Sequence, residues 1–419
     1  MNDQEIRRSP GIKRGFFYGY IVVVATLCIM AAMWGTYYAF GVFFKPVSSG
    51  FGWARGMTSG AFSLSMAAQG LLGIVMGGLT DRFGPRLVMT LSGFLLGLGY
   101  LLMSQLGAIW QLYLFYGVMV GIGMSGAFIP LLSTVARWFV ARRSMMTGIV
   151  LTGTGVGALI APPVANQLIS AYDWRTSYLV MGIIVLVVVV LAAQFLRRDP
   201  TKIGQVPYGE SKEEKSGLKS DTGGLSLREA VCTRQCWTVF GIVFALGFCL
   251  FAIMVHMVPH ATDLGISAAS AASILATVGG AMIVGRLVLG SVADRIGNRR
   301  AFIIGFILMS AALFWLVLAT ELWMLYLFAV VFGFAHAGAE ASTSPLIAGL
   351  FGLRSHGSIF GVIGLGFSIG SAIAPFLTGY AFDLTSSYQV AFLTSAAVGV
   401  VGLVLTVLLK PIRLNGIKS

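Results

Sequence analysis

Long apolar runs recur along the chain and alternate with short polar segments. Each of the twelve longest runs reaches about 20 residues or more, the length that lets a helix cross a hydrocarbon core of ~30 Å. A segment inside lipid must satisfy all its backbone polar groups internally, so each run predicts a membrane-spanning α-helix. The predicted spans are 18–44, 57–79, 87–106, 110–135, 145–169, 177–196, 237–260, 268–292, 301–320, 323–348, 357–380 and 389–409.

The composition agrees with this pattern. The chain is 57% hydrophobic and 10% charged, whereas soluble domains carry about 25% charged residues. The predicted fold class is therefore an all-α integral membrane protein. The residues before the first span are polar and basic, and that span is too long for the apolar region of a signal peptide, so we expect no cleavable signal.

The net charge of +13 follows the membrane topology rather than a nucleic-acid site. If both termini are cytoplasmic, the cytoplasmic segments hold 24 of the 28 Lys and Arg residues. An excess of Lys and Arg in cytoplasmic loops sets the orientation of membrane proteins. We therefore expect a multi-pass protein of the cytoplasmic (inner) membrane, with cytoplasmic termini and no nucleic-acid partner. The cations outside those segments are Lys45, Arg55, Arg175 and Arg286.

One sequence offset recurs along the chain. Residues 77–86 (GGLTDRFGPR) resemble residues 290–299 (GSVADRIGNR), a separation of 213. The same offset relates WQLYLF to WMLYLF, and the glycine-rich GIVLTGTGVGALIAP to GVIGLGFSIGSAIAP. A single offset near half the chain length indicates a duplication.

The duplication divides the chain into an N-terminal six-helix bundle (1–196), a cytoplasmic linker (197–236) and a C-terminal six-helix bundle (237–419). The linker is expected to be flexible by composition and to end in a short surface helix at SLREAVCTRQCW. Parallel six-helix repeats are typical of secondary transporters, which hold the substrate near the membrane midplane between the repeats.

The duplicated loops carry the pattern G-x-x-x-D-R-x-G-x-R after the second and the eighth span. This pattern resembles the signature of the major facilitator superfamily, with Asp81, Arg82, Asp294 and Arg295 at its charged positions. The resemblance implies that these four residues act as a gate rather than as a substrate site. An Asp at a helix end beside Arg side chains can latch the cytoplasmic face through charge-assisted hydrogen bonds.

Three longer segments narrow the resemblance. Residues 37–55, 136–163 and 256–299 are similar to the monocarboxylate and oxalate/formate porter branch of the superfamily. Together with the duplication, the resemblance covers nearly all the chain apart from the tails and the linker. It implies alternating access and a short organic anion as substrate.

Arg286 stands inside an apolar and glycine-rich stretch, VGGAMIVGRLVLG. Its guanidinium stays charged, and a charge at mid-bilayer costs at least about 2.5–3.5 kcal/mol, so such a residue is expected to face a functional cavity. Eukaryotic members of the branch often place an Asp one turn earlier, where this chain has Met282. With no partner on the same helix, we expect the substrate carboxylate to be the counter-ion. Snorkelling or structural pairing is the alternative.

The number of charged residues in the spans limits the charge that the substrate can carry. Oxalate carriers of the family pair this arginine with a lysine in span eleven, yet residues 357–380 contain no charged residue. One buried cation balances a monocarboxylate better than a dianion, which favours lactate, pyruvate or a similar acid. The aromatic residues expected at the pocket are Tyr37, Tyr38, Phe334 and Phe367, and simple packing is the alternative for each.

A proton is expected to accompany the anion. Import against an inside-negative potential costs about 2.3 kcal/mol per charge per 100 mV, and co-transport of a proton removes this cost. Two candidate proton sites are open: Glu340 with His336 one turn earlier, and Asp263 with His260 at the outer end of span seven. We rank Asp263 first, because the family resemblance covers its segment. A structural His–Glu pair is the alternative for the first site, and metal binding together with His256 for the second.

The predicted function is proton-coupled transport of a short monocarboxylate by a monomer that needs no cofactor and no metal. An organic-anion exchanger of the oxalate/formate type, without proton coupling, is the alternative. A carrier of neutral solutes leaves Arg286 without a role, and an enzyme needs a nucleophile–base pair or metal-ligand spacing that the longest loop lacks. A sensor that binds without transporting stays open at this point.

Overall fold

The computed structural model describes residues 17–139, 142–209, 224–352 and 355–410, apart from five side chains within helices, those of Ile74, Arg143, Ser144, Lys202 and Asp294. Over this part of the chain, eleven helices are long and apolar enough to cross a membrane, and one bent helix raises the number to twelve. We label them in chain order: α1 Gly19–Phe51, α2 Arg55–Phe83, α3 Pro85–Met103, α4 Ile109–Trp138, α5 Arg143–Ala171, α6 Trp174–Gln194, α7 Arg234–Asp263, α8 Ala268–Ile296, α9 Asn298–Leu318, α10 Leu322–Phe351, α11 His356–Thr385 and α12 Gln389–Leu408.

The helices form two six-helix halves, α1–α6 and α7–α12. Inside the halves, the closest pairs include α1 with α5 and, at the equivalent place, α7 with α11. Three pairs join the halves: α2 with α11, α5 with α8, and the second part of α1 with α7. Small residues allow this approach, since a Cβ atom on Gly279 of α8 would lie 2.6 Å from the backbone nitrogen of Leu159 on α5. Close contacts through Gly and Ala are typical of helix bundles in membranes.

The duplication extends to turn geometry. Gly84 separates α2 from α3 and Gly297 separates α8 from α9, and these residues are 213 positions apart. Their φ angles are 86° and 90°, in the region that only glycine adopts readily. Each tight turn lies within the charged repeat motif, so the glycine in the motif has a backbone role.

We call the end of the molecule that carries Gly19 and Leu408 the termini end, and the opposite end, where α1 meets α2 and α7 meets α8, the far end. Helix α1 continues to Phe51, whereas the predicted span ends at residue 44. Lys45 does not stop the helix, because its ammonium group is bonded to Thr262 at 3.3 Å and to Asp263 at 3.1 Å.

Helix α7 begins at Arg234, with Thr233 as its N-cap, three residues before the predicted span. The surface helix is reduced to Leu227–Val231. The two described ends of the linker are bonded to the two halves. The Tyr208 N–H donates to the Trp138 carbonyl at 2.9 Å, and the Leu225 N–H donates to the Phe351 carbonyl at 2.9 Å.

These two attachments are equivalent in the duplication. Tyr208 pairs with Phe139 and Gly224 pairs with Gly352 through isolated β-bridges. Phe139 and Gly352 are 213 positions apart and occupy the same place in their halves, after α4 and after α10. The linker therefore forms one β-bridge with each copy of the same loop, parallel in the N-terminal half and antiparallel in the C-terminal half.

Candidate functional site

Arg286 lies where α8 contacts both α5 and α10. Its guanidinium donates from Nη2 to Oε2 of Glu340 at 2.6 Å, and from Nη1 to the Thr154 hydroxyl at 2.6 Å and to the Leu151 carbonyl. Arg286 is 8% exposed, while the Glu340 side chain is 24% exposed. The arginine is thus bonded to both halves of the protein, and Glu340, its charged partner in the described part of the chain, remains accessible.

The expectation that Arg286 has no counter-ion in the protein is therefore wrong. Residue spacing reveals partners on the same helix, but Glu340 lies on α10. The two helices touch closely, since a Cβ atom on Gly285 would meet the backbone of Phe334. This approach brings the following turns of α10 alongside Arg286. Its Nε atom is buried and has no hydrogen-bond partner within the described part of the chain.

An aromatic group lies on the far-end side of the Arg286–Glu340 pair. The rings of Tyr38 and Phe251 have centroids 6.0 Å apart, and those of Phe251 and Phe367 are 6.2 Å apart. Tyr38 and Phe251 are separated by the repeat offset of 213, so their contact joins equivalent positions of the two halves. The Tyr38 hydroxyl also lies within electrostatic range of both Arg286 and Glu340.

Tyr37 was expected at the pocket, but it does not lie in this aromatic group. Its hydroxyl bonds the Ser65 hydroxyl of α2. Its ring lies 4.5 Å from that of Phe62 and 6.0 Å from that of Tyr116, between centroids, inside the N-terminal half. Successive residues of a helix point about 100° apart. Tyr38 faces the other half, and Tyr37 therefore faces the interior of its own.

Phe334 and His336 lie on α10 beside the pair. The Phe334 backbone packs against Gly285, and its role in the pocket stays a prediction. His336 is fully buried, and its Nε2 atom lies 3.3 Å from the Leu246 carbonyl of α7. Its ring is not hydrogen-bonded to Glu340, whose carboxylate reaches Arg286 instead. A part for His336 in proton transfer stays a prediction as well.

A second charged cluster joins the halves at the far end. The Arg55 guanidinium donates to both carboxylate oxygens of Asp263, at 2.6 and 3.1 Å, and to the Tyr388 hydroxyl at 2.6 Å. Lys45 donates to the same carboxylate at 3.1 Å. Asp383 accepts hydrogen bonds from the backbone N–H groups of Arg55 at 2.8 Å and Gly56 at 2.7 Å. We call this cluster the far-end clasp; its side chains are Lys45, Arg55, Asp263, Asp383 and Tyr388.

The clasp closes the far end. The two cations come from the N-terminal half, and Asp263, Asp383 and Tyr388 come from the C-terminal half. Burial raises the pKa of Tyr388 above its usual range, so the phenol stays neutral and accepts from Arg55. Charge-assisted hydrogen bonds of this kind are stronger than neutral ones.

Asp263 is far from Arg286. Arg286 lies 18 residues beyond the start of α8 at Ala268, which corresponds to ~27 Å along the helix axis. Asp263, just before α8, is bonded to two cations instead. The structure therefore brings Glu340 to the arginine and leaves Asp263, the residue ranked first, at the other end of the pathway.

The histidines of the Asp263 segment do not gather around it. His256 Nε2 lies 2.8 Å from the Pro375 carbonyl, and its Nδ1 lies 3.2 Å from the Tyr388 hydroxyl. The His260 ring packs on Phe392 with a centroid distance of 4.9 Å. No group of three metal-binding side chains occurs among the described residues. His260 thus lies beside the clasp rather than in the candidate site.

The charged motif residues at the termini end make no latch between the halves. Asp81 bonds Arg137 of its own half at 2.5 Å. Arg82 lies over the Phe83 ring, 5.2 Å from its centroid, and Arg295 is exposed. The side chain of Asp294 lies outside the described residues. Where side chains are described, no ion pair crosses between the halves at this end.

The helices around the termini end also leave space. Cβ atoms added to Gly357, Gly361 and Gly364 of α11, or to Gly148 of α5, would meet nothing within 4 Å. By contrast, a Cβ atom on Gly379 at the other end of α11 would lie 2.8 Å from the Arg55 carbonyl oxygen. The halves are therefore apart at the termini end and in contact at the far end.

No role was predicted for Arg55, Asp383 or Trp34. A signal for the first two was present, because few charged residues lie on the side opposite the cytoplasmic segments. Lys45 and Arg55 among the cations, with Asp263 and Asp383 among the acids, form a matching set at the span ends. Trp34 carried no such signal.

Two bundles that meet at one end, separate at the other and share a buried arginine between them define a membrane transporter of the alternating-access kind. The chain belongs to the Major Facilitator Superfamily, whose family model matches residues 22–276 and 239–416. This membership confirms the predicted fold class and makes the protein a transporter rather than an enzyme.

Relatives within the superfamily support the assignment to the monocarboxylate branch. The chain is 28% identical over 399 residues to monocarboxylate transporter 11 of Homo sapiens, covering 91% of this chain and 80% of that protein. It is 27% identical to monocarboxylate transporter 13 of Rattus norvegicus, covering 91% and 86%. It is also 29% identical to the uncharacterized MFS-type transporter YhjX of Escherichia coli (strain K12), covering 74% and 76%.

Solved structures show the same fold. A bacterial homologue of the human lysosomal transporter Spinster, in an inward-facing and occupied conformation, aligns with a TM-score of 0.73 at 16% identity and covers 94% of this chain and 97% of that one. The unoccupied form of that homologue gives a TM-score of 0.69 at 18% identity, with 95% and 96% covered.

Proposed function

We propose that this protein carries a short monocarboxylate of the lactate or pyruvate type together with a proton, by alternating access. The observation that supports the proposal is the bond between Arg286 and Glu340 at the interface of the halves. Planar guanidinium groups suit carboxylates, and the substrate carboxylate competes with Glu340 for the same nitrogen.

Charge balance couples the proton to the anion. With Glu340 ionised, the pair is neutral, and an added substrate anion leaves one excess negative charge in a largely buried site. An uncompensated buried charge is costly. A proton on Glu340 removes the excess, so that Arg286 pairs with the substrate. One proton thus binds with each anion and leaves with it, and the loaded site is as neutral as the empty one.

The surroundings favour a small substrate with one carboxylate. Within the described residues the guanidinium has one charged partner, Glu340, and its other bonds go to the neutral Thr154 and Leu151. The aromatic group of Tyr38, Phe251 and Phe367 offers an apolar wall with one hydroxyl. Several relatives are named monocarboxylate transporters. Tyr38 and Phe367 are accordingly proposed to contact the substrate.

The closed clasp and the separated termini end correspond to one state of the cycle. We assign the termini end to the cytoplasm of a cell with an inner membrane, because the Lys and Arg excess lies on that side. The state is then inward-facing. Asp81, Arg82, Asp294 and Arg295 are proposed to latch the termini end in the opposite state. Residues 1–196 and 237–419 move as the two halves of a monomer.

Reconstituted proteoliposomes test the proposal through two readouts, uptake of labelled lactate and acidification of the lumen. The wild type should show both, with lactate accumulating when the outside is acidic. Glu340→Gln, which mimics the protonated carboxyl, should retain lactate counterflow and lose proton flux. Glu321→Gln is the matched control, because Glu321 lies on an exposed loop just before the same helix.

Three results separate the alternatives. Proton flux that persists in Glu340→Gln would contradict the role of Glu340. Wild-type counterflow without any proton flux would replace the symporter with the organic-anion exchanger. Oxalate carried far better than lactate would overturn the assignment to monocarboxylates.

A further inference from the structure

One buried polar group on α1 is not used by the site described so far. Trp34 is 6% exposed, and its Nε1 atom has no hydrogen-bond partner among the described residues. An indole nitrogen donates and never accepts. Buried polar groups in proteins are nearly always hydrogen-bonded, so a donor left unpaired in a protein interior points to a partner that arrives from outside.

Trp34 lies on the face of α1 that meets the other half. Tyr38, one turn later, contacts Phe251, and Gly41 lies so close that a Cβ atom there would be 2.6 Å from the Met254 carbonyl oxygen. Lys45, another turn later, reaches Asp263. Residues three and four apart share a helix face. The Trp34 ring also packs on Tyr38, with centroids 5.5 Å apart.

The repeat offset relates Trp34 to the part of α5 that contacts Arg286. Its equivalent on α7 is Gly247, where a Cβ atom would meet the Phe367 backbone and lie 2.6 Å from the Ser371 hydroxyl. The equivalents of Phe367 and Ser371, subtracting 213, are Thr154 and Ala158 of α5.

Thr154 is the hydroxyl that accepts a hydrogen bond from Arg286. By this equivalence, Trp34 faces the junction of α1 with α5 at which Thr154 contacts Arg286.

We propose that the indole N–H of Trp34 donates a hydrogen bond to the oxygen on the second carbon of the substrate, and so selects 2-hydroxy and 2-oxo monocarboxylates over unsubstituted ones. This inference rests on the proposed function. The carboxylate pairs with Arg286, and the hydroxyl or keto oxygen accepts from Trp34. Propionate has no such oxygen and leaves the indole unpaired. A site built to hydrogen-bond a substrate oxygen rejects analogues that lack it.

The test compares lactate with propionate in competition against labelled lactate counterflow. In the wild type, lactate should compete at about tenfold lower concentration than propionate, equivalent to about 1.4 kcal/mol. Trp34→Phe should remove this preference by weakening lactate about tenfold and leaving propionate unchanged. Replacing Trp34 by benzothienylalanine, in which sulfur takes the place of N–H, removes the donor while keeping the ring shape.

The control is Trp237→Phe, since the Trp237 indole already donates to the Val231 carbonyl. It should leave the preference intact. Equal weakening of lactate and propionate in both Trp34 variants would overturn the inference, and so would an unchanged preference. If the wild type carries neither acid, the proposed function fails; if it carries both without preference, only the role of Trp34 fails.

Discussion

Among the described residues, two arginine–carboxylate pairs lie at the interface of the halves, and they differ in what surrounds them. Arg55 of the far-end clasp is shared among Asp263, Tyr388 and the Phe382 ring, 3.7 Å from its guanidinium carbon, and Lys45 adds a second cation. Arg286 has Glu340 as its one described charged partner. The Arg55 guanidinium therefore shares its charge among several partners, whereas the charge of Arg286 is matched by one described carboxylate.

This difference distinguishes a contact that holds the two halves together from a site that can bind a ligand. The clasp consists of complementary charges that neutralise one another across the halves, so it needs no ligand and favours one conformation. At the central pair both charges belong to the C-terminal half, and the arginine reaches the other half only through Thr154 and Leu151. Exchange of one carboxylate for another is therefore possible there without separating the halves at the far end.

The largest effect is expected at the central pair. Arg286→Gln leaves Glu340 without its cation and removes the proposed carboxylate ligand, so lactate binding should weaken by at least about 30-fold, as expected when one partner of a buried charge pair is truncated. Thermal-shift titration with lactate measures this loss. A variant that still binds lactate normally would reduce the central pair to a structural contact.

The next largest effect, on stability, is expected from glycine substitutions at the two ends of α11. Gly379→Ala places a methyl group 2.8 Å from the Arg55 carbonyl oxygen and 2.5 Å from the Ser59 hydroxyl, and overpacking of this kind costs about 1–3 kcal/mol. Gly364→Ala meets nothing within 4 Å and should be neutral, or stabilising by up to about 1 kcal/mol through helix propensity.

Melting temperatures of the two purified variants give the comparison. A similar loss of melting temperature in both variants would show that the halves are equally close at the two ends. That result would contradict the separation at the termini end.

Arg55→Gln should open the far end. Because the Arg55 and Asp263 side chains are 18% and 28% exposed, solvent weakens the pair, and we expect the population with a separated far end to rise about tenfold, equivalent to about 1.4 kcal/mol. Spin labels at Ser49→Cys and Leu264→Cys measure the distance, with the exposed Cys28 and Cys232 replaced by Ser.

Lys45→Met is the matched control for this measurement. Its side chain is 41% exposed, so removal of its charge should shift the distances less than Arg55→Gln does. An equal shift would show that total charge, rather than the Arg55 hydrogen bonds, holds the clasp.

The smallest effect is expected for the third pair, Asp81 with Arg137, which lies within one half. The Asp81 side chain is 60% exposed, and exposed pairs contribute about 0–1 kcal/mol. Asp81→Asn should therefore leave the melting temperature and the far-end distances nearly unchanged. A change as large as that of Arg55→Gln would place a contact between the halves at the termini end as well.

The fold was predictable because its signals are repeated and independent of contacts. Hydropathy alone identifies the spans, and the offset of 213 identifies the halves. Span ends were less predictable: Lys45 looks like a stop, but its charge is neutralised by Asp263 from the other half. A contact between the halves cannot be predicted from the hydropathy of a single segment.

The site was predictable to the extent that one charge stands alone in an apolar segment. Arg286 was found for that reason, and Glu340 was recognised as an acid well inside a span. Their bond was not foreseen, because it depends on the close approach of α8 and α10. Tyr37 and Tyr38 were equivalent in sequence, and the helical rotation between them decides which one faces the other half.

The attachment of the linker has a consequence for how the protein can be expressed. Tyr208 is bonded to the last residue of α4 and Leu225 to the last residue of α10. Each described end of the linker is therefore attached to the bundle beside it and does not rely on the other end for its β-bridge. Two polypeptides, one ending after Tyr208 and one beginning at Gly224, should each keep its own β-bridge. Co-expressed as separate reading frames, they should associate through α2–α11 and α5–α8 into a working carrier.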